Sequence, residues 1–169
     1  MMSKAARARL KKAKLIQFCG PVKQSTVALH ICSPKIDLAR ITSLLGCSPT
    51  HAHLKGQFPK QEARVPYRTG NWSLDAPARL GFMKKLRFLL DATTADTRVW
   101  AGLAKTHQIE LDCALFLESF SERVTLPAGM LSEITRRRWT LQITAYSAEV
   151  DEILDAFFRQ PRRKKPVSP

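Results

Sequence analysis

Acidic residues are missing from both ends of this 169-residue chain. Residues 1–25 and 159–169 contain no Asp or Glu, yet together they hold 12 of the 28 Lys and Arg side chains. The formal charge of +14 therefore divides into +12 on the two ends and +2 on residues 26–158. A charge distributed in this way bears on partners rather than on fold. The sequence predicts a basic N-terminal arm (1–25), one domain (26–158) and a basic C-terminal tail (159–169).

Cysteine and long apolar runs are also scarce. The four cysteines include no C-x-x-C pair, which argues against a disulfide scaffold or a zinc finger. No apolar run approaches the ~18 residues that a membrane-spanning helix requires. The apolar stretch 15–20 is too short for the core of a signal peptide. An acid-free, Arg-containing start resembles an organellar transit peptide, but serine is scarce there. We therefore expect a cytoplasmic protein with reduced thiols and no membrane span.

Local catalytic signatures are missing as well. The sequence has no glycine-rich phosphate loop, no G-x-S-x-G elbow and no Cys/His nucleophile motif. His51 and His53 share one face of a predicted strand, but two imidazoles alone do not make a metal site. Glu110 and Asp112 fit a solvated strand face better than a general acid/base pair. We therefore predict no catalytic residue, no metal and no cofactor, and a non-enzymatic protein is favoured over an enzyme.

Between the two ends, apolar residues alternate in some segments and recur with a helical period in others. Alternation predicts strands, and recurrence every three or four residues predicts helices. The predicted order is β-α-β-β-α-α-β-α-β. The predicted strands are 26–33, 51–55, 67–74, 108–118 and 139–146. The predicted helices are 37–45, 79–91, 94–105 with Thr94 as its cap, and a short one with Pro127 in its first turn, followed by an amphipathic turn or two at 150–157. Residues 3–16 fit either a disordered basic tail or an arm that becomes helical on a phosphate-rich partner.

Residues 108–118 carry the clearest strand pattern. One face is apolar (Ile109, Leu111, Cys113, Leu115 and Leu117), and the other is mixed (Glu110, Asp112, Ala114, Phe116 and Glu118). A sheet with one apolar face buries that face under helices. The predicted fold is therefore a single α+β domain. Its sheet is mostly antiparallel and five-stranded with helices on one face, and a ferredoxin-like β-α-β-β-α-β start is followed by an added helix and strand.

Three short stretches, taken in this order of elements, resemble a known family. They are residues 44–50 (LLGCSPT) leading to Lys55-Gly56, residues 69–74 (TGNWSL), and residues 124–127 (VTLP) within the late strand, helix and strand. Together they resemble the bacterial family called domain of unknown function 4279, over about residues 26–147. The resemblance implies one α+β domain. It implies no catalytic residue, and both basic ends lie outside it.

Trp72, which lies in the second of those stretches, has two interpretations. It is a large core aromatic beside a glycine, or it is the wall of a pocket in which Lys55 and Arg68 supply charge for an anionic ligand. Arg136, Arg137 and Arg138 also have two interpretations. They stabilise the end of a helix through its dipole, or they extend the basic surface.

The leading functional prediction is a non-enzymatic binding domain whose basic ends engage nucleic acid without sequence preference. The outward carboxylates of the predicted sheet would repel phosphate, so the ends and not the sheet would make the contacts. One alternative is a protein-interaction module with an acidic partner, such as a toxin-neutralising immunity protein. A second alternative is an enzyme or anionic-ligand binder with a pocket near Lys55, Arg68 and Trp72. The predicted nucleic-acid contacts are Lys4, Arg7, Arg9, Lys11, Lys12, Lys14, Arg162, Arg163, Lys164 and Lys165.

Overall fold

Seven strands and four helices make up the part of the chain that the structure, a computed structural model, describes: residues 20–22, 24–59, 65–117 and 122–147. Residues 1–19 and 148–169 lie outside the described part, and with them the segments 3–16 and 150–157. Residues 20–22 and 24–25 of the predicted N-terminal arm are described, and most of them are in strands. The strands are β1 (Gly20–Pro21), β2 (Gln24–Ser33), β3 (His51–His53), β4 (Gly70–Asp75), β5 (Gln108–Leu117), β6 (Glu122–Arg123) and β7 (Thr140–Ser147). The helices are α1 (Leu38–Leu45), α2 (Phe82–Ala92), α3 (Thr97–Leu103) and α4 (Ala128–Arg136).

Five of the strands form the main sheet, in the order β3-β4-β2-β5-β7. The β3/β4, β4/β2 and β2/β5 pairs are antiparallel, whereas β5 and β7 are parallel. The main sheet is therefore mixed. The β5/β7 pair can be parallel because α4, which lies between these strands in the chain, returns the chain to the end of the sheet where β5 began. The predicted α+β class, five-stranded sheet and element order are confirmed. A second, two-stranded parallel sheet of β1 and β6 is an addition that the sequence did not predict.

Strand alternation places the core on one side of the main sheet. Val27, Leu29 and Ile31 of β2 are all buried, and the residues between them are only half-buried. Apolar residues of the helices, among them Ile41 of α1 and Leu89 of α2, belong to the same cluster. In β5, Ile109, Leu111, Cys113 and Leu115 are buried, Leu117 packs against the core, and Glu110 and Asp112 lie on the opposite face. The predicted one-sided sheet is thus confirmed for the described residues of β5, while Glu118 lies outside them.

Two helices show why the sequence signals for caps are only partly reliable. Asp37 caps α1 by accepting a hydrogen bond from the Arg40 amide at 3.0 Å, and α1 ends at Gly46, whose φ is 74°. For α3, the prediction of Thr94 as the cap and Lys105 as the end is wrong. Asp96 is the cap and accepts from the Arg98 amide at 2.9 Å, and the helix ends at Leu103. The Thr94 hydroxyl, two residues before the cap, instead accepts a hydrogen bond from the Asp96 amide.

The connection between β3 and β4 also differs from the prediction, because β3 ends at His53 rather than Lys55 and β4 starts at Gly70 rather than Tyr67. A turn ends β3: the Leu54 amide donates to the Gln57 side chain at 2.7 Å, and Gly56 adopts a φ of 88°. At the start of β4, a Cβ on Gly70 would lie 2.2 Å from the Ile36 side chain. Glycine is therefore required where β4 passes Ile36.

Candidate functional site

The ten predicted nucleic-acid contacts in the basic ends lie outside the described residues, so they stay a prediction. The remaining sequence candidates lie on the described domain. None of the helices in this part of the chain is long and apolar enough to cross a membrane.

Trp72 belongs to the hydrophobic core. Its side chain is 0% exposed, and its indole Nε1 donates to the Thr42 hydroxyl of α1 at 3.1 Å. In the sheet it pairs with Ile31 of β2 and Ala52 of β3. The core interpretation of Trp72 is therefore confirmed, and the indole offers no surface to a ligand.

Lys55 and Arg68 are both exposed and lie on either side of a backbone bridge in the β3–β4 connection. The Gly56 amide donates to the Tyr67 carbonyl at 2.9 Å, and the Tyr67 amide donates to the Gln57 carbonyl at 2.8 Å. This bridge joins the backbone segments that carry Lys55 and Arg68, and both side chains stay exposed. Because Trp72 is buried beneath the sheet surface, the three residues do not form the pocket that the sequence suggested.

The two histidines of β3 lie on the face of the sheet opposite the helices. His51 Nε2 lies 3.2 Å from the Asp75 carboxylate, and the His53 ring stacks on Tyr67 with ring centres 3.5 Å apart. Burial lowers the pKa of His53, which favours the neutral ring. Within the described residues, no group of three or more His, Cys, Asp or Glu side chains is placed to hold a metal ion.

A row of polar side chains crosses this open face of the sheet. The strand registers place Glu110, His30, Ser73 and His51 side by side across β5, β2, β4 and β3. Ser73 donates from its hydroxyl to Asp75 at 3.3 Å, so Asp75 receives contacts from both Ser73 and His51. The carboxylates in and next to this row give the face a mixed charge. Such a face does not attract a phosphate backbone in the way that a cationic surface does.

The three cysteines in the described residues, Cys32, Cys47 and Cys113, do not have the environment of a nucleophile. Cys113 is fully buried, and burial raises the pKa of its thiol to about 12. Burial also raises the pKa of Cys47, and burial together with the nearby Glu110 raises that of Cys32. The Cys32 thiol donates to the Asn71 side-chain oxygen at 3.4 Å. The described thiols are therefore held in their protonated, unreactive form.

The three consecutive arginines at the end of α4, Arg136 to Arg138, do not act as one group. Arg137 is buried: it donates to the Leu90 carbonyl of α2 at 3.1 Å, lies 3.5 Å from Glu133, and stands 5.6 Å from the Trp139 ring centre. Arg136 and Arg138 are exposed, and Arg138 adopts a left-handed φ of 57°. Arg137 thus joins α2, α4 and Trp139, and only its two neighbours contribute to the basic surface.

A cationic cleft, the α1–α3 cleft, lies between α1 and α3 and has a volume of about 900 Å³. No local sequence motif predicts it, because its cations come from two distant segments: the β2–α1 connection with α1, and α3 with the turn before β5. Its lining includes Lys35, Asp37, Arg40, Leu44, Arg98, Val99, Gly102 and Lys105.

The family of the chain follows from its sequence. Residues 23–148 match the family described as domain of unknown function (DUF4279), whereas no curated protein and no solved structure matches the chain. The matched region runs from the start of β2 to the end of β7 and includes both the open face and the α1–α3 cleft. The resemblance indicated by the three short stretches is therefore confirmed, and the chain belongs to the DUF4279 family, with residues 1–22 and 149–169 outside the matched region.

Proposed function

We propose that the protein is a non-enzymatic binding domain whose basic ends engage nucleic acid without sequence preference. The observation that carries this proposal is the division of the formal charge into +12 on residues 1–25 and 159–169 and +2 on the rest. Cations that neutralise phosphates release condensed counterions, so acid-free basic segments favour binding to any nucleic acid. Residues 26–158 contain 16 basic and 14 acidic side chains, which is too even a balance for that effect.

Features of the described domain support the assignment of the contacts to the ends. The open face of the sheet carries the carboxylates Glu110, Asp112 and Asp75, which would repel a phosphate backbone. An aromatic pair also lies on this face: Tyr146, 53% exposed on the edge strand β7, stacks on Phe116 with ring centres 5.3 Å apart. The domain would then serve as the folded body that carries two basic segments.

We also propose a ferredoxin-like arrangement for the first part of the sheet. The spatial order β3-β4-β2-β5, with antiparallel neighbours throughout, supports this proposal. The α4–β7 unit would then be an addition to a common β-α-β-β-α-β framework.

Deletion of residues 1–20 and 159–169 is expected to remove most of the nucleic-acid affinity while the domain stays folded. The deletion removes 11 of the 12 end cations and leaves Lys23. Binding can be measured by fluorescence anisotropy with a labelled duplex of arbitrary sequence, and folding by circular dichroism and thermal melting.

The matched control replaces exposed domain cations, Arg79 and Lys84, with glutamine in the full chain. We expect this control to bind almost as tightly as the unmodified chain. Unchanged affinity after both deletions, in a variant that melts normally, would overturn the proposal.

A protein-interaction module is the second candidate, and the exposed apolar side chains of the β3–β4 connection favour it. Phe58 is 57% exposed and Val65 is 66% exposed, close in sequence to the exposed cations Lys55 and Arg68. Apolar groups beside cations suit an acidic protein partner. In a pull-down with the full chain, an acidic protein that is retained after nuclease treatment and lost in a Phe58→Ser variant would support this candidate. Loss of all partners on nuclease treatment would favour nucleic acid.

A further inference from the structure

The α1–α3 cleft combines a cationic rim with apolar walls. Lys35 precedes α1, Arg40 lies in its first turn, and Lys105 follows α3, and all three side chains are exposed. Leu44 of α1, 36% exposed, and the half-buried Val99 of α3 supply the apolar surface. The volume of about 900 Å³ lies within the range of small-molecule sites, ~300–1,000 Å³.

The cations of the cleft differ in whether an acidic group already neutralises them. Arg98 is bound to the Asp96 carboxylate through two contacts of 3.0 and 3.2 Å, so its charge is largely matched. Asp37, the acidic side chain of the lining, accepts the hydrogen bond that caps α1. Among the described residues, no carboxylate lies within ion-pair distance of Lys35, Arg40 or Lys105. The described lining of the cleft therefore holds three cations without a paired carboxylate, together with the one carboxylate of Asp37, around an apolar centre.

We propose that the α1–α3 cleft binds a small organic anion. The apolar body of the ligand lies against Leu44 and Val99, and its carboxylate or phosphate group lies among Lys35, Arg40 and Lys105. Arg40 suits either group, because a guanidinium can donate two parallel hydrogen bonds to two oxygens. A long duplex fits poorly here, since the apolar walls would face its charged backbone. This site is separate from the basic ends and does not depend on the function proposed for them.

Gly102 is a position at which a larger side chain can be introduced to fill the cleft. It lies in α3, it lines the cleft, and a Cβ built on it meets no atom within 4 Å. Gly102→Phe should therefore project a ring into the cleft, and it replaces a poor helix former with a better one. Gly129 of α4 is the matched control, because a Cβ there also meets nothing within 4 Å and it does not line the cleft.

The first test uses the full chain and the fluorescent probe anilinonaphthalene sulfonate, which is an apolar anion. We expect saturable binding that Gly102→Phe weakens at least about tenfold and Gly129→Phe leaves unchanged, with both variants melting cooperatively. Equal binding by the unmodified chain and Gly102→Phe would overturn the proposal, and so would an equal loss in the two glycine variants.

The second test reverses the charge of the rim. Lys35→Glu/Lys105→Glu should weaken probe binding at least about tenfold, because each substitution replaces a cation that attracts the sulfonate with a carboxylate that repels it. The matched control, Arg79→Glu/Lys84→Glu, reverses two exposed charges away from the cleft and should have little effect. Equal effects of the two double variants would show general attraction only and would overturn the proposal. Displacement of the probe by decanoate or by adenosine monophosphate then distinguishes a carboxylate ligand from a phosphate ligand.

Discussion

Replacing Leu111 with aspartate is expected to abolish folding. Leu111 is 1% exposed at the centre of β5, between its cross-strand neighbours Leu29 and Leu141. A carboxylate at this position has no cation or amide donor to accept from and must be desolvated or protonated. The cost of several kcal/mol is comparable with the whole stability of a small domain, about 5–15 kcal/mol. Circular dichroism and the loss of cooperative thermal melting would report the effect.

The neighbouring substitution Asp112→Asn is the matched control. Asp112 lies on the open face of the same strand, half-buried beside Ala28 and Gln142. An isosteric change at such a site should shift the free energy of unfolding by no more than about 0.5 kcal/mol. A folded Leu111→Asp variant, or an unfolded Asp112→Asn variant, would contradict the one-sided sheet.

Trp72→Ala is expected to cost about 3–5 kcal/mol of unfolding free energy, the range for a large aromatic removed from a core. The indole is fully buried, and its hydrogen bond to Thr42 joins β4 to α1. The alanine variant therefore leaves a cavity and also removes a tie between two elements. Chemical denaturation measures the loss. A change below about 1 kcal/mol, the range of ordinary surface sites, would contradict the burial of Trp72.

Two substitutions of Thr42 separate the hydrogen bond from the packing. Thr42→Val keeps the shape of the side chain but leaves the buried indole N–H without its acceptor, which should cost about 1–3 kcal/mol. Thr42→Ser keeps the hydroxyl and should cost less. Equal losses in the two variants would mean that the hydrogen bond contributes little to the effect of Trp72→Ala.

The strongly alternating strands could be predicted from the sequence because their burial pattern is written in consecutive residues. In β2 and β5 every second residue packs on the core. In β5 a helical period would have placed a carboxylate on the core side, so only a strand fits the pattern. The α1 helix was equally readable, since Asp37 and Gly46 mark its two ends. For Trp72 the sequence left two interpretations, and its burial in the structure decides for the core one.

Other features depend on contacts between distant residues and could not be predicted in this way. The two-residue strands β1 and β6 are too short to show a period, and they form only by pairing with each other. The parallel β5/β7 pair depends on where α4 returns the chain. An arginine at the end of a helix is normally solvated, so the sequence predicts that Arg137 is exposed. Its burial depends on two partners that are known only from the fold, the Leu90 carbonyl and Glu133.

The candidate sites show the same division. Lys55 and Arg68 precede Trp72 in the sequence and suggested a charged pocket beside its ring, but the fold buries Trp72 and leaves the two cations on the surface. The α1–α3 cleft was missed because Lys35, Arg40 and Lys105 belong to separate elements and form no local motif. Residue type and spacing identify faces of strands and helices, whereas a site between elements appears only once they are packed.

The most direct test of the account is the salt dependence of duplex binding by the full chain. If about six of the 12 end cations contact phosphates, the logarithm of the association constant should fall against the logarithm of salt concentration with a slope near −5. A full-length variant with glutamine at the ten predicted contact positions in the ends should show a much shallower slope. A slope near zero for the unmodified chain, or an equally steep slope for the glutamine variant, would contradict nucleic-acid binding through the basic ends.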